Sequence, residues 1–156
     1  MRTLTVAALV IFMAACDSKP PEPKAEAPKQ VQAPKPPDES RRFPKTYLLD
    51  TTVVDKQLLG KAFMPGGTLA QYRKGKTDFD MFVAKTASPT DAALILPDWK
   101  KALTDAKFVP SFGGYFGTDA GRPIFVFAKG AWIAGIAGLP QKDADAEARL
   151  LAKALD

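Results

Sequence analysis

Past residue 43 the apolar positions follow two rhythms, one of period two and one of period 3.6, and these mark out the elements. Tyr47-Leu48-Leu49 is a short apolar run and Thr51 to Val54 is β-branched, which predicts a strand near the start of the folded region. Leu58, Leu59, Ala62 and Phe63 follow at helical spacing, and Met64-Pro65-Gly66-Gly67 reads as a turn by composition. Thr68 to Lys74 and Phe79 to Thr86 alternate, the latter with Phe79, Met81 and Val83 on one face. Lys74-Gly75-Lys76-Thr77 between them reads as a hairpin turn, so the two strands are expected to be antiparallel neighbours. A helical stripe then runs through Ala92, Ile95, Leu96, Trp99, Leu103 and Ala106, started by Ser88-Pro89-Thr90-Asp91 with Ser88 as cap. Pro97 interrupts it and predicts a kink or two short helices.

Phe112 to Gly117, Ile124 to Ala128 and Trp132 to Leu139, with turns at Thr118–Gly121 and Lys129-Gly130, form a second β section. Ile124-Phe125-Val126-Phe127 is apolar on both faces and so belongs in the middle of a sheet covered on both sides. Asp143 to Leu155 closes the chain as a helix with acids first and Lys153 last, and Ala144, Ala148, Leu151 and Leu155 form its buried side. Paired strands, a helix, three strands and a helix do not alternate as parallel α/β folds do. The order predicts an α+β domain: an antiparallel sheet of about five strands with two main helices packed on it. The alternative is a half-open barrel, formed if the second β section curls at its glycines.

The first 43 residues follow neither rhythm. Arg2 begins them, Leu4 to Ala15 carry no charge, and Met13-Ala14-Ala15-Cys16 ends the run on small residues before the only cysteine. Such a stretch is an export leader and falls well short of the roughly 20 residues of a bilayer span. With Ala14-Ala15-Cys16 at its close, the leader resembles the lipobox of bacterial lipoproteins. The resemblance implies cleavage after Ala15, acylation of Cys16 by palmitate-type chains, and a protein anchored in the cell envelope and facing the periplasm. Asp17 directly after Cys16 resembles the retention signal of enterobacterial inner-membrane lipoproteins, which favours the inner over the outer membrane. Seven prolines between Pro20 and Pro37, with no aromatic from Asp17 to Arg42, make a chain that buries too little to order itself. It reads as a semi-rigid disordered tether. The expected organisation is thus leader 1–15, lipidated N-terminus and tether 16–43, and one globular domain 44–156.

Charge alters this picture little. The net charge is +5, but one basic residue lies in the leader and six between Asp17 and Phe43, leaving 15 Lys and Arg against 12 Asp and Glu. So small and dispersed an excess gives no footprint for nucleic acid. The absence of histidine is more informative, for it removes Ser-His-Asp and Cys-His nucleophile systems, imidazole zinc sites and histidine switches. With Cys16 spent on lipid, no thiolate and no disulfide remain. No catalytic constellation, metal site or cofactor is expected.

Four features invite a functional reading. Gly113-Gly114-Tyr115-Phe116-Gly117 is glycine-rich, but no helix follows to receive a phosphate, so a bulge or close sheet contact is expected. Arg73, Lys74 and Lys76 on the first hairpin, with Lys100 and Lys101 on the main helix, are candidate contacts to an anionic surface. Asp78 and Asp80 share a strand face, yet they lack the loop spacing of calcium ligands and read as solvated. A groove between sheet and helix lined by Trp99, Phe125, Phe127 and Trp132 is the candidate ligand or partner site, and the same residues suit an ordinary core. The leading expectation is a non-enzymatic interaction domain on a lipid anchor, meeting an envelope protein. The alternative is a small-molecule or lipid-binding module.

Overall fold

The computed structural model describes residues 34–156. The leader, Cys16 and the tether up to Ala33 lie outside them. Two antiparallel meanders joined by a helix make up one sheet. The first comprises β1 (Leu48–Lys56), β2 (Pro65–Lys74) and β3 (Thr77–Lys85). Helix α1 (Pro89–Ala102) leads to β4 (Thr104–Val109), β5 (Gly114–Asp119), β6 (Arg122–Lys129) and β7 (Trp132–Ala137), and α2 (Gln141–Lys153) ends the chain. The second meander folds back so that β7 pairs with β3, Met81 opposite Ile136, giving the order β1-β2-β3-β7-β6-β5-β4. The sheet is open, with β1 and β4 at its edges, and not a half-open barrel.

The class is the α+β expected, but the sheet has seven strands rather than about five. Of its two edges only β4 was not expected. β1 lies where the β-branched run pointed. β4 was hidden because apolar residues continue at helical spacing to Ala106; the helix itself stops at Ala102, Leu103 caps it, and Ala106 lies in β4. A further correction concerns Met64–Gly67. Pro65, Gly66 and Gly67 belong to β2, and Met64 is buried. A Cβ at Gly67 would come within 2.3 Å of the Val83 carbonyl oxygen, so glycine here permits close strand contact rather than a turn. The helical spacing before it yields only a single 3-10 turn, Leu58–Gly60. The β2–β3 hairpin turns on Gly75 and Lys76 as expected, Lys74 facing Thr77, with Gly75 at φ +64°.

Helix α1 starts where the sequence placed it. The Ser88 side chain accepts from the Asp91 amide at 3.1 Å. It runs unbroken through Pro97 instead of splitting in two. Ala93, whose carbonyl the proline leaves without an N–H partner, is an exposed residue, as is Pro97. Each helix covers one sheet face. Trp99 of α1 and Leu103 at its C-cap pack with Phe82, Ile124, Val126 and Ile133. Ala144, Ala148 and Leu151 of α2 pack with Met81, Phe125, Phe127 and Ile136. β6 therefore buries Ile124 and Val126 on one side and Phe125 and Phe127 on the other, as a covered inner strand should.

The packed body reaches back into residues expected to belong to the tether. Ser40–Arg42 form one 3-10 turn, Phe43 is buried beside Tyr72, and the Glu39 amide donates to Thr68 Oγ1 at 3.0 Å. The Arg42 guanidinium sits 4.5 Å from the centre of the Trp132 ring and donates to the Ala154 carbonyl at 2.8 Å. This strap closes the α2 face of the sheet.

Candidate functional site

The four aromatics expected to line one groove do not share a face. Phe125, Phe127 and Trp132 point to the α2 side, because Phe127 pairs with Ala134 and Lys129 with Trp132 in β7. Trp99 lies on the α1 side, its indole N–H 3.1 Å from Met64 Sδ and its ring edge-on to Phe63 at 5.4 Å. The sheet stands between them. All four are buried, so they form core rather than an open groove.

The candidate cationic residues keep to their two clusters, Arg73, Lys74 and Lys76 at the hairpin and Lys100 with Lys101 on α1. Arg73 grips Asp78 through two nitrogens, at 2.6 and 3.0 Å, at the exposed end of the hairpin. That contact holds the Asp78 carboxyl below the usual carboxylate range and raises the guanidinium. Lys74 stands 3.9 Å from Glu147 and 5.7 Å from the Tyr47 ring centre, while Lys76 is exposed at the hairpin tip. Asp80 binds Arg122 at 2.6 Å, so each of the two strand-sharing acids has its own guanidinium. On α1, Lys101 reaches Asp98 at 3.4 Å and Lys100 lies 5.9 Å from the Tyr115 ring centre. Among the described residues no group of three or more Asp, Glu, Cys or His is arranged around a metal position. The glycine-rich run behaves as a close sheet contact: a Cβ at Gly114 would fall 2.2 Å from the Val126 carbonyl oxygen.

Several clefts combine apolar and ionic groups, and the one over Phe112 carries three cations. It opens between the β4–β5 turn, the end of β6 and the C-terminal half of α2, encloses about 580 Å³, and is lined by Ser111, Phe112, Phe127, Ala128, Lys129, Arg149, Ala152 and Lys153. Its aromatic floor is built by Phe112, whose ring lies 5.0 Å from Phe127 and 5.1 Å from Phe125, centre to centre. The Arg149 guanidinium covers Phe112 at 5.3 Å and is held by Asp145 at 2.8 Å. Lys129 donates to the Ala152 carbonyl at 2.7 Å and pairs with Asp156 at 2.6 Å. Three cations thus surround an apolar floor, and Asp156, the counter-ion of Lys129, has a side chain 71% exposed.

Of these lining residues only Phe127 belongs to the groove expected from sequence. The signal overlooked is the alanine spacing of α2. Of Ala144, Ala148 and Ala152, which recur every fourth residue, the first two pack into the core and Ala152 lines the cleft. A cleft of nearly equal size, about 570 Å³, lies on the other face between Met64 and the start of α1, with Lys85 and Asp91 in its lining. A smaller one lies near Arg122 and Asp119, whose charges are paired with Asp80 and Lys61. Comparison with protein-family models, curated proteins and solved structures finds no match to this chain.

Proposed function

We propose that this is an envelope protein, anchored to a bilayer by acylated Cys16, whose folded domain works by binding rather than by chemistry. The anchor rests on the leader and its Ala14-Ala15-Cys16 close. The observation that carries the binding role is the cleft over Phe112 and Phe127 with Lys129, Arg149 and Lys153 around it. Binding sites are concave and mostly apolar, with a few polar groups that orient the ligand. This cleft suits a small amphipathic molecule with an apolar or aromatic body and one anionic end. The body covers the Phe112 ring. The anion takes the place of the Asp156 carboxylate on Lys129, because so exposed an ion pair is weakly held.

An anilinonaphthalene sulfonate dye has this chemistry and reports binding by fluorescence. Phe112→Ala is expected to weaken dye binding about tenfold, the order of one buried aromatic contact. Lys129→Gln should weaken it comparably, and Asp156→Asn should strengthen it by freeing the lysine. Dye binding indifferent to all three changes refutes the cleft. The anchor is tested separately: Cys16→Ala should abolish fatty-acid labelling and release the protein from membranes, and unchanged labelling refutes the anchor.

A further inference from the structure

The two sheet edges differ. β4 is short and irregular, with a register shift between Thr104 and Lys107 and Asp105 at φ +53°. Such distortion discourages a further strand. β1 is nine residues long and, past a register shift between Leu48 and Asp50, keeps regular register with β2 as far as Lys56. Side chains on both of its faces are exposed or half-exposed, including Leu49 at 56% and Val53 at 37%. The outer edge of such a strand presents unpaired N–H and C=O groups.

We infer that β1 is a self-pairing edge, through which two copies of this chain join into one continuous antiparallel sheet about a twofold axis at Val53. The order of the charges along β1 selects the register. With the axis at Val53, each residue faces the one equally far on the other side. Asp50 then stands opposite Lys56 of the second copy, Thr51 opposite Asp55, and Val53 opposite itself. Facing residues point to the same side of the sheet, as antiparallel pairing requires. An axis at Thr52 sets Asp50 against Val54, and one at Val54 sets Lys56 against Thr52. An axis at Asp50 or Asp55 brings like acids together. Only the Val53 register opposes opposite charges, and symmetry supplies that pair twice. Within the chain, neither Asp50 nor Lys56 forms an ion pair among the described residues. The inference rests on β1 alone and is independent of the anchor and of the cleft.

The test uses the full chain in detergent micelles. Carbodiimide treatment of mixed isotope-labelled and unlabelled protein is expected to give an Asp50–Lys56 link carrying one peptide of each kind. By sedimentation equilibrium, Asp50→Lys and Lys56→Asp should each weaken self-association about tenfold or more, since each replaces two attractive pairs by two repulsive ones. Mixing the two variants should restore the dimer, because both facing pairs of the mixed dimer again set a lysine against an aspartate. Circular dichroism matching the parent shows that the variants are folded, and the cross-link on unaltered protein needs no variant. A monomer at every concentration with no mixed link overturns the inference, as does a dimer indifferent to both reversals. Stronger association after Asp50→Asn with Lys56→Gln also overturns it, by showing that the charges keep the edge apart.

Discussion

Tyr72 shows how one side chain ties the strap to the sheet. Its ring stacks on Phe79 at 4.9 Å, and its hydroxyl donates to the Pro44 carbonyl at 2.9 Å. Burial, reinforced by the negative charge of Glu147, pushes the phenol well above its ordinary value. The unfolded chain therefore loses this proton first, at about pH 10, while the native state keeps it. Stability from Tyr72 is complete below that pH and declines as pH rises toward the folded value. Tyr72→Phe is expected to lose about 1 kcal/mol near neutrality, where the hydrogen bond counts. It should also flatten the alkaline decline, and urea titrations on both sides of about pH 10 measure both effects. The burial of this tyrosine was legible in the alternation of Thr68 to Lys74; its carbonyl partner, 28 residues away, was not. Asp78 shows the same division. Its place on a strand was legible, whereas its grip on Arg73 depends on the register that sets those two residues opposite each other.

Among the elements, α1 is the one whose local chemistry and tertiary setting conflict. The capping at Ser88 and the apolar stripe through Ala92, Ile95, Leu96 and Trp99 favour it, while Pro97 removes a hydrogen bond from its interior. Packing of Trp99 against Phe82 and Phe63 outweighs that loss and keeps the helix whole. Pro97→Ala should therefore stabilise the domain by about 2 kcal/mol, the helix gain less the freedom returned to the unfolded chain. Thermal denaturation measures it, and an unchanged or lower midpoint would show that the proline is accommodated without cost. β7 presents the reverse case, in which space decides. A Cβ at Gly135 would lie 2.3 Å from the Phe125 carbonyl oxygen and 2.4 Å from Phe82 Cζ. Gly135→Ala is expected to destabilise by about 1–3 kcal/mol, as overpacked cores do, which a urea midpoint will report. The small-residue rhythm of Trp132 to Leu139 was legible as a buried strand. The atoms that demand glycine at 135 come from other strands and were not.

On the scale of the whole molecule, the strap and α2 close one face of the sheet together. Phe43 enters the core, and Arg42 joins the Trp132 ring to the end of the chain at Ala154. A chain beginning at Pro44 should lose at least about 3 kcal/mol, the scale of an emptied phenylalanine site, and its tryptophan emission should shift to the red. A chain beginning at Asp38 keeps these contacts and should match the parent in both. The sequence by itself determined the α+β class, the β2–β3 hairpin, the Ser88 cap, the inner position of β6 and the buried side of α2. Each of these follows from periodicity or from chemistry within a few residues. Tertiary structure alone decided that Trp99 and Phe127 lie on opposite faces, that β1 and β4 are the edges, and that Phe112 meets Arg149 over a cleft. Alternation tells which residues share a side of a strand, but not which helix will cover that side. That choice is made by pairings between distant segments, above all β3 with β7, which no local pattern encodes.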